Sequence, residues 1–262
     1  MHFKPKKKLG QNFLVDKNVQ RKIIEHLQLN RGDVVLEIGA GRGELTFGLA
    51  DQAKAVYALE IDSSLCRILE EEGKAYPRMK VIHQDVLNFD INKRFARLKT
   101  KIKVLGNIPY YISSPIIEHL LKFRKKLDCI FLTVQKEFAD RMVASCGSKV
   151  YGSLSCFVQT YTFPEILFTI RKGSFFPSPK VDSSFVRLRM RKSPFKTPEE
   201  EKLFFRLVRT AFSQRRKTLR NSLKGQVPPK TMERFFSISS KDRNIRPENL
   251  SPQDFLELTK II

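Results

Sequence analysis

Two short runs in this sequence carry residue types whose spacing can do chemistry. The first is Asn107-Ile108-Pro109-Tyr110, which follows the apolar stretch Ile102-Lys103-Val104-Leu105-Gly106. The Asn107 amide oxygen and the Ile108 backbone carbonyl can each accept a hydrogen bond from an exocyclic amine. Such bonds pull a nitrogen whose lone pair is delocalised into a ring towards tetrahedral geometry. Pro109 stiffens the turn, and the Tyr110 ring offers a face on which a planar base can stack. The blander account is an Asn-x-Pro turn into a helix capped by Ser114, with Tyr110 in the core. The second run is Glu37-Ile38-Gly39-Ala40-Gly41-Arg42-Gly43, after Val34-Val35-Leu36. Glycine at alternate positions lets the backbone turn sharply at a strand end and approach a ligand with no Cβ in the way.

The spacing of that turn narrows the ligand. A dinucleotide pattern, G-x-G-x-x-G, would need glycine where Glu44 stands, which argues against NAD. About 20 residues after Gly39 the next strand ends in Glu60, placed like the acid that accepts ribose hydroxyls. Asp62 is its rival, better suited to capping the following helix. Asp85, after the third strand, can accept an adenine amino group. Each acid alone reads as a helix cap. Together, Glu37, Glu60 and Asp85 at three consecutive strand ends suit an adenosine carrying a cationic tail, which is S-adenosylmethionine. Its sulfonium methyl is already activated, so orientation and hydrogen bonding can supply most of the catalysis without a strong general base. The two runs together read as a methyltransferase that modifies a nucleic-acid base.

Such a site needs strands and helices to hold it, and the sequence alternates them. Asp16 can cap a helix whose apolar positions Val19, Ile23, Ile24 and Leu27 share a face. Strands are expected at 34–38, 55–60, 79–83, 102–106, 127–134, 165–170 and 184–190. Helices are expected at 45–53, after Ser63, at 115–121 and at 136–142. Continuous apolar strands alternating with amphipathic helices predict an α/β fold, a Rossmann-like seven-stranded sheet. The last two strands, with no helix between them, are expected to form its antiparallel end. The organisation changes near Ser193-Pro194. Thr197-Pro198-Glu199-Glu200 reads as a capping box with proline at the first helical position, opening a helix with Leu203, Phe204, Leu207, Val208, Ala211 and Phe212 on one face. A basic helix around Arg215–Leu223 follows, then a short one through Phe235-Phe236 and another capped by Ser251. Residues 1–193 are thus expected to form the methyltransferase domain and 194–262 a small all-helical one.

Charge indicates the partner. Against 27 Asp and Glu stand 49 Lys and Arg, a formal net charge of +22 over 262 residues. A surplus this large points to a polyanion. Arg215, Arg216, Lys217 and Arg220, just after an apolar helix face, are the candidates to meet RNA phosphates; a merely solvated basic face is the alternative. The four cysteines and four histidines show no ligand spacing, so no metal and no disulfide is expected. No apolar stretch approaches membrane-spanning length and no signal-peptide pattern opens the chain, so the expected compartment is the cytoplasm.

With these residues in view, the sequence resembles the ribosomal RNA adenine N6-dimethyltransferases, most closely the KsgA type that acts on small-subunit rRNA. The resemblance runs through Leu9-Gly10-Gln11-Asn12-Phe13-Leu14, Glu37–Gly43, Leu59-Glu60-Ile61-Asp62, Gln84-Asp85 and Gly106–Tyr110. It continues through Val134–Glu137, Tyr151–Ser155, Ser174–Ser183 and Gln214–Arg220. Asn-Ile-Pro-Tyr alone would also suit DNA adenine methylases; the ordered set is what is specific. The resemblance implies that Asn12, Leu14, Gly39, Gly41, Glu60, Asp85 and Asn107 contact the cofactor. It implies that Asn107, Ile108, Pro109 and Tyr110 form the catalytic loop. Phe175 matches an aromatic that flanks the target base, with Phe176 beside it. The implied substrate is two adjacent adenosines near the 3′ end of small-subunit rRNA, in a nearly assembled particle, modified by a monomer. The macrolide-resistance methyltransferases of large-subunit rRNA share the fold and the Asn-Ile-Pro-Tyr pattern; Leu9-Gly10-Gln11 and Gln214–Arg220 favour the small-subunit type. A non-catalytic RNA-binding or transcription factor on this scaffold would not need intact Glu60, Asp85 and Asn107–Tyr110.

Overall fold

Every residue of Val34–Ile38 is buried, as a strand covered on both faces requires, and in the computed structural model of the chain this strand lies inside a sheet. The structure describes residues 5–214 and 216–262. Numbered along the chain, the strands are β1 (Phe13–Leu14), β2 (Val34–Ile38), β3 (Ala55–Glu60), β4 (Met79–His83), β5 (Ile102–Asn107), β6 (Leu127–Gln135), β7 (Thr162–Ile170), β8 (Phe175–Phe176) and β9 (Ser183–Met190). Seven of them form one sheet in the order β4-β3-β2-β5-β6-β9-β7, while β1 pairs separately with β8. Neighbours from β4 to β6 are parallel, and β9 runs antiparallel to β6. The expected seven-stranded α/β sheet is there; the small β1–β8 ribbon was not foreseen.

Two compact units emerge, one of residues up to Ala139 with Glu165–Met190, the other of Asp140–Pro164 with Arg191–Ile262. This division differs from a single cut at 193/194, because residues 140–164 group with the C-terminal helices. In the first unit, β2, β3 and β4 step one way along the sheet, and β5 and β6 step the other. Right-handed crossovers then place the helices Thr46–Gln52 and Ser63–Glu72 on one face and Ser113–Lys122 on the other. On the first face, Leu49 and Ala53 pack with Ile23 and Leu27 and with Val35, Val56 and Leu105 of the sheet.

The cap of the first helix is as read: Asp16 accepts from the amides of Asn18 and Val19. The next is too: Asp62 caps the helix after β3, accepting from the Ser64 amide. Ser114 caps nothing, because a 3-10 turn, Tyr110–Ile112, runs straight into a helix that begins at Ser113 and leaves no extended residue to cap it.

The second unit packs helices Ser153–Tyr161, Pro198–Ser213, Leu219–Ser222, Pro229–Ser239 and Pro252–Ile261 around the fully buried rings of Tyr151, Phe204, Phe235 and Phe255. The helix Ser153–Tyr161 was absent from the sequence reading. Tyr151 and Cys156 share their core with Phe204 and Phe212, partners too distant for local periodicity to reveal. Thr197 accepts from the Glu200 amide as expected, but Glu200 returns its carboxylate to the Lys196 amide, one residue further back. The basic helix shrinks to Leu219–Ser222, capped by Thr218. Buried Leu219 and Leu223 anchor it, and the Leu219 amide is committed to the Ile245 carbonyl, so the turn before it stays non-helical.

Among the described residues, no helix is long and apolar enough to cross a membrane, and no group of His, Cys, Asp and Glu is arranged to hold a metal ion. Cys66, Cys129 and Cys156 are buried, Cys146 is exposed, and all four are free.

Candidate active site

Strand order reverses between β2 and β5, and in open parallel sheets ligands bind in the crevice at the carboxyl ends beside such a reversal. The first unit has a cavity there of about 1050 Å³, counting its open mouth, lined among others by Asn12, Gly39, Glu60, Asp85, Asn107 and Tyr110. Leu14, Gly41, Ile108 and Pro109 also line it. Residues from four strand ends and from the N-terminal segment thus converge on one cavity. The glycine turn is needed for this. Gly41 adopts φ +62° and directs its amide to Glu60 Oε2 at 3.0 Å. Gly43 has φ +88°, and a Cβ there would lie 2.3 Å from the Phe47 ring.

Four acids divide the work at the site. Glu60, 5% exposed, also accepts from the amides of Ile61 and Asp62 at 2.9 Å each. Burial raises its carboxyl, and the Asp62, Gly41 and Ile61 amides offset part of that rise. Oε2 takes one of these bonds and keeps lone-pair capacity for a ligand hydroxyl. Glu37 is 3% exposed, and its Oε2 is buried without a hydrogen-bond partner. Burial pushes its carboxyl up to about 8, with Glu44 and Glu60 adding to the rise and the Thr46 hydroxyl tempering it without closing a hydrogen bond. Asp62 has different work. It accepts from Lys6 Nζ at 2.7 Å and Gln11 Nε2 at 3.1 Å, tying the N-terminal segment to the start of a helix. Burial alone would raise its carboxyl, but bonds from Lys6, the Ser64 hydroxyl and amide, and Gln11 bring it down to about 2. Asp85 keeps its side chain on the Leu87 amide at 2.9 Å, half-buried at the cavity wall.

The Asn107 side chain is oriented unambiguously. Its Nδ2 donates to the Asn12 carbonyl at 2.9 Å; a carbonyl accepts only a donor, so the amide cannot be flipped. Oδ1 is therefore left to accept from a ligand amine. Ile108 is 2% exposed and holds the turn. Tyr110 contributes its ring to the wall, with its hydroxyl 2.6 Å from Ser183 Oγ; burial raises that phenol and the Ser183 bond opposes the rise. Sequence reasoning missed the Ser183 partnership, and no local signal joins residues separated by 73 positions. It also missed Tyr111, which lines the cavity and is 65% exposed.

Phe175 is corrected. Its ring is 3% exposed and packs in the core with Leu14, its cross-strand partner, whereas Phe176, paired with Phe13, is 59% exposed. Successive strand residues face opposite ways, and the β1–β8 register turns Phe175 inward. In this conformation Phe176 is the exposed ring of the pair.

The basic residues lie in the second unit, apart from Arg215, which falls outside the described residues. Arg216 and Lys217 are exposed. Arg216 lines a shallow cleft with Lys149 and Arg246. Arg220 forms an ion pair with Glu233, which also binds Arg243 at 3.1 Å.

The chain can now be set beside known proteins. A family model described as ribosomal RNA adenine dimethylase matches residues 2–262. Ribosomal RNA small subunit methyltransferase A of Clostridium botulinum (strain Kyoto / Type A2) is 41% identical over 261 residues, covering 99% of this chain and 94% of that protein. The protein of that name from Geobacillus sp. (strain WCH70) is 41% identical over 268 residues, covering 99% and 92%. Among solved structures, a dimethyladenosine transferase from Plasmodium falciparum superposes with TM-score 0.79 at 29% identity, over 94% of this chain and 95% of that one. The 23S rRNA methyltransferase ErmE gives TM-score 0.76 at 26% identity, over 95% and 99%. A match spanning nearly every residue, together with a glycine turn, acidic strand ends and an oriented Asn107 in one cavity, makes this chain a member of the ribosomal RNA adenine dimethylase family.

Proposed function

We propose that the chain transfers methyl groups from S-adenosylmethionine to N6 of two adjacent adenosines near the 3′ end of small-subunit rRNA, giving N6,N6-dimethyladenosine during subunit assembly. The observation that carries the reading is the Asn107 amide, fixed through Nδ2 so that Oδ1 remains to take an amine hydrogen. The cavity suits the donor: the glycine turn and the strand-end acids line it, and the unpartnered Glu37 oxygen suits a cation. Glu60 and Asp85 would hold the ribose and adenine, and the Asn12–Leu14 segment would close over them. When bound, S-adenosylmethionine supplies an activated methyl group. The chain's own work is positional. Tyr110, with the exposed Phe176 as its counterpart, stacks the base, while Asn107 Oδ1 and the Ile108 carbonyl draw the N6 hydrogens and make the lone pair available.

The small-subunit assignment is supported by the names of relatives at 41% identity, against 26% for the large-subunit enzyme. The preassembled particle as substrate, a monomeric enzyme and a cytoplasmic site belong to the same proposal. The test is to incubate the protein with undermethylated small subunits and labelled donor, then map the modified adenosines. Label in large-subunit rRNA, or cofactor binding without transfer, would overturn the reading.

A further inference from the structure

Ser183 is fully buried at the first residue of β9. Because β9 runs antiparallel to β6, with Ser183 opposite Gln135, its amino end arrives where the carboxyl ends of β5 and β6 lie. There its Oγ meets the Tyr110 hydroxyl at 2.6 Å. The backbone around Ser183 is held from several directions. The Asp182 carbonyl accepts from the Lys136 amide at 3.0 Å, and Asp182 Oδ1 accepts from the Lys172 amide at 2.9 Å. Upstream, Phe175 and Phe176 are laced to Leu14 and Phe13. A hydroxyl on so anchored a segment cannot follow a moving ring; the ring must come to it.

We propose that Ser183 is a positioning residue of the methyl-transfer site, whose hydroxyl pins Tyr110 and so fixes the plane on which the target base stacks. The proposal rests on the reading of Tyr110 as a stacking ring. Without Ser183, the half-buried phenol has no other partner among the described residues and must turn towards water to satisfy its hydrogen bond. The ring plane turns with it. The stacked amine is then misplaced relative to Asn107 Oδ1, and the loss is felt as the amine becomes tetrahedral, in kcat more than in cofactor affinity.

The experiment uses the full chain and undermethylated small subunits, with variants S183A, S183T, Y110F, Y110A and the double variant S183A/Y110F. S183A and Y110F are each expected to lower kcat roughly tenfold, the equivalent of one hydrogen bond lost in the transition state, with cofactor affinity unchanged. The double variant should be no slower than either single one, since both delete the same bond, and S183T, which keeps the hydroxyl, should recover most of the rate. If Y110A turns over normally, the stacking reading itself fails. If Y110A is inactive while S183A and Y110F work at the normal rate, the stacking reading stands and the positioning role is refuted. Should S183A fail to fold, Y110F decides alone: a normal kcat refutes the proposal.

Discussion

Replacing Glu37 by glutamine is expected to flatten the dependence of stability on pH. The folded chain keeps this carboxyl nearly out of solvent, with Oε2 unpartnered and Glu44 and Glu60 nearby, so its pKa rises from 4.5 to about 8. Between those values the folded protein retains a proton that the unfolded chain has released. Stability is therefore fullest below pH 4.5, falls as pH rises through the window, and levels off above about 8. A gap of about 3.5 units, at about 1.4 kcal/mol each, sets an upper bound on the order of 5 kcal/mol. At roughly 2–4 °C per kcal/mol, that is a melting shift on the order of ten degrees. Glutamine has the same shape and cannot ionise. Near pH 5 the two proteins should melt alike; near pH 8.5 the variant should melt higher. Circular dichroism melts from pH 5 to 9 make the comparison, and parallel profiles would refute the reasoning. The same carboxyl should shed its proton when a cationic donor binds. Calorimetric enthalpies in buffers of differing ionisation heat should then reveal proton release in the natural protein and none in the variant.

Asn107→Ala should abolish methyl transfer while cofactor affinity changes far less, since the lost bond forms mainly as the amine pyramidalises; single-turnover assays beside calorimetry would read both, and near-normal turnover would sink the mechanism. Glu60→Ala should weaken S-adenosylmethionine binding by about 1.5–3 kcal/mol, as for a lost charged hydrogen bond, and Asp62→Ala by less, because Asp62 serves Lys6, Gln11 and a helix amide; the reverse order in calorimetry would mean the ribose acid is misassigned. Reversing exposed Arg216 and Lys217 to glutamate should weaken subunit binding and lower its salt slope, with cofactor affinity unchanged. An unaltered salt titration would remove them from the RNA surface.

How far the sequence revealed this molecule depends on the range of the interactions involved. The strands at 34–38 and 102–106 were legible because a doubly covered strand must be mostly apolar, and the residues that follow are bound to lie at one sheet edge. Glu60 and Asp85 were legible for the same reason. What escaped was set by pairing between distant segments. Phe175 and Phe176 are chemically identical neighbours, and only their register against Leu14 and Phe13 decides which is core. Ser183 lies just outside the strand expected at 184–190, and its role shows only when β9 is laid beside β6. The helix Ser153–Tyr161 draws its stability from rings beyond residue 200, so its own sequence announces little. The cap at Ser114 failed on a finer scale, where a 3-10 turn supplied the entry instead.

The interleaved make-up of the two units has a consequence for biosynthesis. A ribosome delivers residues in order, and domains generally fold as units while they emerge. Here residues 140–164 appear before the helices that share their core, and 165–190 appear before those helices as well. The sheet cannot receive β9, nor Tyr110 its Ser183, until some fifty residues beyond Gln135 have been made. β1 must wait for β8, about 160 residues downstream. A chain stalled or cleaved between Tyr110 and Ser183 would carry the glycine turn and Asn-Ile-Pro-Tyr yet lack the serine that holds the Tyr110 hydroxyl. Catalytic competence thus arrives late in translation, and neither unit could be passed on in evolution as one uninterrupted stretch of gene.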